Sequence, residues 1–183
     1  MGIVLVHTTV SLDGFIAGPG EDMDWVFELG SHVPAEIVQD VIATTGAILA
    51  GRHSYDVGRR ARRPEVSKPF GGAWSGPQFV LTHDPPDDER DPTIAFLSGD
   101  VETAIATARA AAGDRNVLVL GANVVDQCLE AGLVDEILIH LYPVLLGDGA
   151  RLFGARRSRR IDLEPIAITR SGPLANLRYR VVR

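Results

Sequence analysis

Val117-Leu118-Val119-Leu120-Gly121-Ala122-Asn123-Val124 is the stretch on which the fold turns. Four consecutive apolar residues cannot alternate between core and solvent. They read as a strand buried on both faces, the kind found inside a parallel sheet. Gly121 breaks the run, and the segment from Val124 to Ala131 reads as a helix ended by Gly132. A buried strand passing through a glycine into a helix is half of a βαβ unit, and repeating it builds a sheet with helices on its faces.

Working upstream, Val101 to Ala112 is an alanine-rich helix that Asp100 or Gly99 caps and Gly113 ends. Ile94 to Leu97, Phe79 to Leu81 and Ala47 to Ala50 are short strands. Pro34 to Thr45 is predicted as a helix, with Pro34 in its first turn, Ile37, Val38, Val41 and Ile42 on one face, and Gly46 at its stop. Ile3 to Val10 is the first strand, ended by Asp13-Gly14, and a loop rich in glycine and acid runs on to Asp24. From Gly58 to Pro77 the composition turns to Arg, Pro and Gly, which reads as a surface excursion with Trp74 as a lid or surface anchor. Downstream, Glu136 to Tyr142, Ile161 to Arg170 and Asn176 to Val182 are strands without intervening helices, and Pro143 to Phe153 is a glycine-punctuated crossing. The late strands therefore add antiparallel to a mostly parallel sheet. The expectation is one α/β domain over residues 1–183, in three layers.

The chain has 183 residues, 45% apolar and 23% charged, which suits a globular domain with a full core. A single cysteine, Cys128, excludes an intramolecular disulfide framework and most all-cysteine metal sites. No run approaches the roughly 20 apolar residues that span a bilayer, and no basic leader precedes the first apolar run, so a cytoplasmic setting without membrane partners is expected. The net charge of −6 disfavours nucleic acid. Lys68 is the sole lysine, and arginines cluster at Arg59, Arg60, Arg62 and Arg63 and again at Arg156, Arg157, Arg159 and Arg160. These clusters are either solvated faces or phosphate grips.

Absent signatures narrow the chemistry. There is no Gly-Lys dipeptide for a phosphate loop, no G-x-G-x-x-G after the first strand and no G-x-S-x-G elbow. The five histidines never fall at H-x-H or H-x-x-x-H spacing, so no metal site is expected. What remains is a set of glycine-marked strand ends: Ser11-Leu12-Asp13-Gly14-Phe15-Ile16-Ala17-Gly18, Gly51-Arg52-His53-Ser54-Tyr55, Thr82-His83, and Gly121-Ala122-Asn123-Val124. Open α/β sheets bind ligands beyond the carboxyl ends of their strands, and helix N-termini favour phosphate. Arg52 with Thr82 and His83 suits an extra ribose phosphate, hence NADPH over NADH. The alternative is that the glycines only punctuate turns.

In order and spacing these pieces resemble the dihydrofolate reductase-like superfamily, in the branch of the reductase domain of the riboflavin-pathway deaminase–reductase. The resemblance runs nearly end to end. It is carried by Ser11 to Ala17, Gly51 to Tyr55, Gly132-Leu133-Val134-Asp135-Glu136, Pro143-Val144-Leu145-Leu146-Gly147-Asp148-Gly149, Leu152-Phe153 and Leu177-Arg178-Tyr179-Arg180-Val181. It implies an eight- or nine-stranded mixed sheet flanked by helices, NADPH as hydride donor and a homodimer. By position, Thr9, Ile16 and Ala17 would border the nicotinamide end. Gly51, Arg52, His53 and Ser54 would sit at the phosphates, Thr82 and His83 at the adenosine ribose, and Gly121, Ala122, Asn123 and Val124 at the pyrophosphate. The family usually carries Gly-Gly where this chain has Gly121-Ala122, and the alanine methyl would crowd the pyrophosphate if position 122 took a positive φ. No H-x-E with P-C-x-x-C accompanies the chain, so the deaminase half is not expected.

On the substrate side, Trp25 offers a flat wall for a heteroaromatic ring, with Asp24 as the catalytic polar partner and Glu28 as a substrate contact; the other reading of Asp24 is a solvated loop carboxylate. Glu36 and Asp40 on the first long helix do not clearly match the acid that dihydrofolate reductases carry there. Asp13 reads as a turn residue, Cys128 as buried and inert, and His140 as core, interface or pocket. The leading function is an NADPH-dependent reductase of a small heterocyclic or carbonyl compound, pterin- or pyrimidine-like. The alternative is a nucleotide- or ligand-binding protein without turnover, which would bind NADPH and not oxidise it.

Overall fold

A computed structural model describes residues 2–28, 35–61, 67–154 and 160–183. Pro34 and, of the arginine clusters, Arg62, Arg63, Arg156, Arg157 and Arg159 lie outside the described residues, as does the side chain of Glu28.

The main sheet has eight strands in the order β5-β4-β3-β6-β1-β7-β10-β9. Six are parallel: β1 (Val4–Ser11), β3 (Thr45–Gly51), β4 (Gln78–Leu81), β5 (Ile94–Leu97), β6 (Asn116–Leu120) and β7 (Glu136–Tyr142). The late strands β9 (Leu163–Ser171) and β10 (Leu174–Val181) add antiparallel, as their direct succession requires. In β1, β3 and β6, successive side chains go to opposite faces, and both faces are covered. Val4, Val6, Leu49, Val117 and Val119 pack on one side under α4 (Val101–Ala112) and α5 (Ala122–Glu130). Leu5, Ile48 and Leu118 pack on the other with Val41 of α2 (Ala35–Thr44). This two-sided burial is why those strands read as unbroken apolar runs.

Several boundaries differ from the sequence reading. α2 ends at Thr44 and the chain enters β3 at once, so Gly46 is a strand residue and not a helix stop. A Cβ at Gly46 would lie 2.6 Å from the Ala112 carbonyl oxygen and 2.8 Å from Arg115 Cβ. The glycine lets the end of α4 approach the sheet. The stretch beginning Arg52-His53-Ser54-Tyr55, which the sequence reading leaves without a helix, is the start of α3 (Arg52–Arg60), and α5 begins at Ala122 and not at Val124. The crossing from 143 to 153 contains a short strand, β8 (Ala150–Arg151), which pairs with β2 (Phe15–Ala17) from the first loop. A four-residue α1 (Trp25–Glu28) precedes α2.

Trp74 is neither lid nor surface anchor. It is buried against Leu5, Val41 and Ile48, and its indole N–H donates to the Thr45 carbonyl at 3.1 Å. The end of the Arg/Pro/Gly excursion is therefore docked on the sheet. No helix among the described residues is long and apolar enough to cross a membrane.

Candidate functional site

Because six strands are parallel, their carboxyl ends share one edge of the sheet, and the connections that leave them line a cleft of about 510 Å³. Its wall is formed by Ile16 from β2, Gly51 at the end of β3, Arg52, His53 and Ser54 of α3, Thr82 and His83 after β4, and Gly121, Ala122, Asn123 and Val124 entering α5. Four segments far apart in sequence thus meet at one site. Thr9 lies farther back on β1, in register with His140, and Ala17 is buried and paired with Ala150.

The two helices that begin here share an unusual start. Gly51 caps α3 and Gly121 caps α5, and neither cap supplies a side-chain acceptor to the free N–H groups of the first turn. By contrast, α4 is capped by Asp100, whose carboxylate accepts from the Thr103 amide at 2.7 Å and so fills that helix start. Uncapped N–H groups with the positive end of a helix dipole are suited to an anion. Gly121 sits at φ 89, ψ 132, a conformation open almost only to glycine. A Cβ there would collide with Ser54 Oγ of α3, so the glycine also lets the two helix starts approach each other.

Ala122 follows as the first helical residue and is not among the described residues with positive φ. The crowding expected of its methyl required a positive φ, and the structure assigns that φ to Gly121 instead. If the cleft takes NADPH, Ala122→Gly is accordingly expected to change that affinity by no more than about twofold, equivalent to roughly 0.4 kcal/mol. A titration showing a large gain would mean the methyl does obstruct the ligand.

Arg52 is held rigidly at the cleft edge. Its Nε donates to both Asp56 carboxylate oxygens at 2.9 and 3.0 Å, and its Nη1 donates to the Asp84 carbonyl. Thr82 bonds Asp84 from the same turn, so Arg52, Thr82 and His83 form one corner. Farther along α3, Arg59 makes a double 2.9 Å bond to Asp88, and Arg60 pairs with Glu21 at 3.1 Å, as His53 does at 3.4 Å. The described arginines of the first cluster thus engage acids of this chain. Tyr55 donates to Glu89 at 2.5 Å, which ties α3 to the acidic loop after β4; burial and this bond push its phenol pKa upward.

Asp13 has the turn role expected of it. Its carboxylate accepts from Ser11 Oγ and from the amides of Leu146 and Gly147, fastening the first loop to the late crossing. The Ser11 bond, more than any other contact, holds its pKa down at about 2. Cys128 is buried, and burial pushes its thiol up to about 12, as befits an inert core residue.

The substrate-side expectations fare differently. Trp25 is 5% exposed and packs edge-on against Tyr142, with ring centroids 5.6 Å apart, in a small cluster with Leu174. It is a packing residue and not an open wall. Asp24 is exposed at the start of α1, its amide bonded to Asp22, and it does not line the cleft. Glu28 closes α1, and its side chain lies outside the described residues. Sequence reasoning missed Leu81, Gly99, Gln127 and Ala150 in the cleft wall. Gln127 had a signal: it stands one helical turn beyond Asn123 and bonds to it. Gly99 follows the carboxyl end of β5, where the same strand-end rule applied.

Known proteins agree with this architecture. The chain is 26% identical over 155 residues to the uncharacterized protein YyaP of Bacillus subtilis, covering 82% of this chain and 79% of that one. A putative riboflavin biosynthesis protein from Shewanella sp. PV-4 superposes with a TM-score of 0.81 at 23% identity, covering 99% of both chains. Dihydrofolate reductase from Enterococcus faecalis, in complex with NADP(H), superposes with a TM-score of 0.61 at 16% identity, covering 100% of this chain and 98% of that one. The fold is the mixed α/β sheet of dihydrofolate reductase. Residues 57–175 match the family described as RibD C-terminal domain, and the chain belongs to that family.

Proposed function

We propose that the chain is an NADPH-dependent reductase acting on a small heterocyclic or carbonyl compound, pterin- or pyrimidine-like. One observation carries the reading: two glycine-capped helix starts open on a single cleft at the carboxyl edge of the parallel sheet. A pyrophosphate fits this donor set, since the free N–H groups of both first turns lack side-chain partners. Gly121 to Val124 would hold the pyrophosphate, with Ser54 at the point where the helices meet. Arg52, Thr82 and His83 would take the ribose end and its 2′-phosphate, and Thr9, Ile16 and Ala17 would border the nicotinamide. When bound, the cofactor supplies the hydride. The protein's part is to fix both partners' positions, an effect that lowers barriers by pre-setting orientation.

A titration with NADPH and NADH, read by nicotinamide emission, tests the reading. Micromolar NADPH affinity with weaker NADH is expected, and binding of neither would overturn it. Arg52→Ala is expected to weaken NADPH more than NADH by about 1–3 kcal/mol, the value of a charged hydrogen bond. Equal losses would remove Arg52 from the 2′-phosphate.

A second reading, ligand binding without turnover, draws on the cleft lining, which contains no aspartate or glutamate among the described residues. NADPH oxidation in the presence of a reducible heterocycle separates the two. The homodimer implied by the resemblance is also proposed: β9 is exposed along nearly its whole length, with Leu163, Ile166 and Ile168 in the open.

A further inference from the structure

Beside the crevice, on the α2 face of the sheet, a chain of buried and half-buried polar side chains takes no part in holding the dinucleotide. Leu5, His7 and Thr9 share one face of β1 by the two-residue strand period. Thr9 stands in register with His140 on β7, and His140 with Asn176 on β10. His7 Nε2 and His140 Nε2 are 2.8 Å apart, His140 Nδ1 is 2.7 Å from Asn176 Oδ1, and Asn176 Nδ2 donates to Ser171 Oγ at 3.1 Å.

A neutral imidazole has one proton for its two nitrogens, so the far end of this chain sets the near end. Asn176 Oδ1 can only accept, so His140 carries its proton on Nδ1 and accepts at Nε2. His7 then donates through Nε2 and is left with a bare lone pair on Nδ1. Burial, followed by repulsion from His140 and Arg178, pulls the His7 pKa down to about 3, and burial lowers that of His140 too. Both rings are therefore neutral at physiological pH. Arg178 is itself engaged by Glu136 at 2.8 Å.

Among the described residues no hydrogen bond engages His7 Nδ1. His7 is only half-buried. The ring lies nearly parallel to Phe70, tilted by 18° with centroids 6.0 Å apart. Phe70 takes φ 52, ψ 37, a left-handed conformation costly for a bulky residue, and such outliers concentrate at ligand sites. Phe70 also lines a second cavity of about 430 Å³, floored by Ile48, Ala50 and Leu120.

We propose that His7 is a specificity-determining residue on the substrate side of the crevice: its Nδ1 accepts a hydrogen bond from a ring N–H of a flat heterocycle, and His140 and Asn176 are positioning residues that hold the acceptor tautomer. This rests on the reductase reading, in which the hydride acceptor lies against the nicotinamide end bordered by Thr9.

Long-range ¹H–¹⁵N spectra of the labelled protein read each imidazole tautomer directly. His7 is expected to be protonated at Nε2 and His140 at Nδ1. Asn176→Leu is expected to return His7 to a mixture of tautomers, a signature that a packing loss alone does not produce. A proton on His7 Nδ1 in the wild type would mean the chain runs the other way and overturns the proposal. The ligand arm compares lumazine with 1,3-dimethyllumazine, in which both pyrimidine-ring N–H groups are methylated. Wild type is expected to prefer lumazine by about tenfold, the worth of one hydrogen bond. His7→Phe should erase that preference and leave NADPH affinity within about twofold, roughly 0.4 kcal/mol. Binding of neither heterocycle, equal affinities in the wild type, or a preference that survives His7→Phe would each overturn the role. Should wild type fail to bind NADPH, the reductase reading falls separately, because the tautomers and the lumazine pair are measured without cofactor.

Discussion

Gly121→Ala is expected to abolish measurable NADPH binding and to lower stability by about 1–3 kcal/mol, the cost of forcing a side chain into a glycine-only conformation. At φ 89, ψ 132 the added Cβ is strained by its own backbone, and it also strikes Ser54 Oγ and approaches Ser54 Cβ to 3.4 Å. Ser54 lies in the first turn of α3, so relief of the clash separates the two helix starts proposed to share the pyrophosphate. For a domain of this size each kcal/mol lowers Tm by roughly 2–4 °C, so a scan resolves the loss. Nicotinamide emission reports the binding. Adding Ser54→Gly should restore part of the stability by removing the struck atom. If Gly121→Ala loses stability and still binds NADPH normally, the dinucleotide does not lie across this junction.

The second large effect lies in the core. Trp74→Ala should cost about 3–5 kcal/mol, the usual range for deleting a buried aromatic ring, out of a total of about 5–15. Trp74 packs with Leu5, Val41, Ile48, Leu118 and Leu138, contributed by four neighbouring strands of the sheet and α2, and it holds the Thr45 carbonyl at the junction of α2 and β3. Trp74→Phe keeps most of the ring volume and removes the donor, so about 1–2 kcal/mol is expected from the unmade hydrogen bond. Urea unfolding gives both values from the midpoint at unchanged slope. A loss below about 1 kcal/mol for Trp74→Ala would mean the segment carrying it is not docked on the sheet.

The parallel core was legible because its physical cause is local. A strand covered on both faces must be apolar at successive positions, as Val117 to Leu120 and Ile3 to Val6 are. Glycines at the strand ends were legible for the same reason, and the strand-end rule then pointed to one ligand edge. α4 was readable from its Asp100 cap to Gly113 because both termini carry their own chemistry. α3 was not, since its Arg52-to-Arg60 sequence is polar and its support comes from Asp84, Asp88 and Glu89, about thirty residues away.

Single aromatic and polar residues defeated local reading most clearly. Trp25 and Trp74 have neighbours in sequence that suit a loop, and only the fold supplies Tyr142 to one and Thr45 to the other. His7 and His140 stand 133 positions apart, and their hydrogen bond exists because β1 and β7 pair in parallel. The sequence by itself determined the α/β class, the strand ends and the family resemblance, all of which follow from patterns within a few neighbouring residues. Only the tertiary structure decided which glycine needs a positive φ, which tryptophan is buried and which histidine faces which. Those properties belong to strand register and to contacts between segments that the chain brings together only on folding.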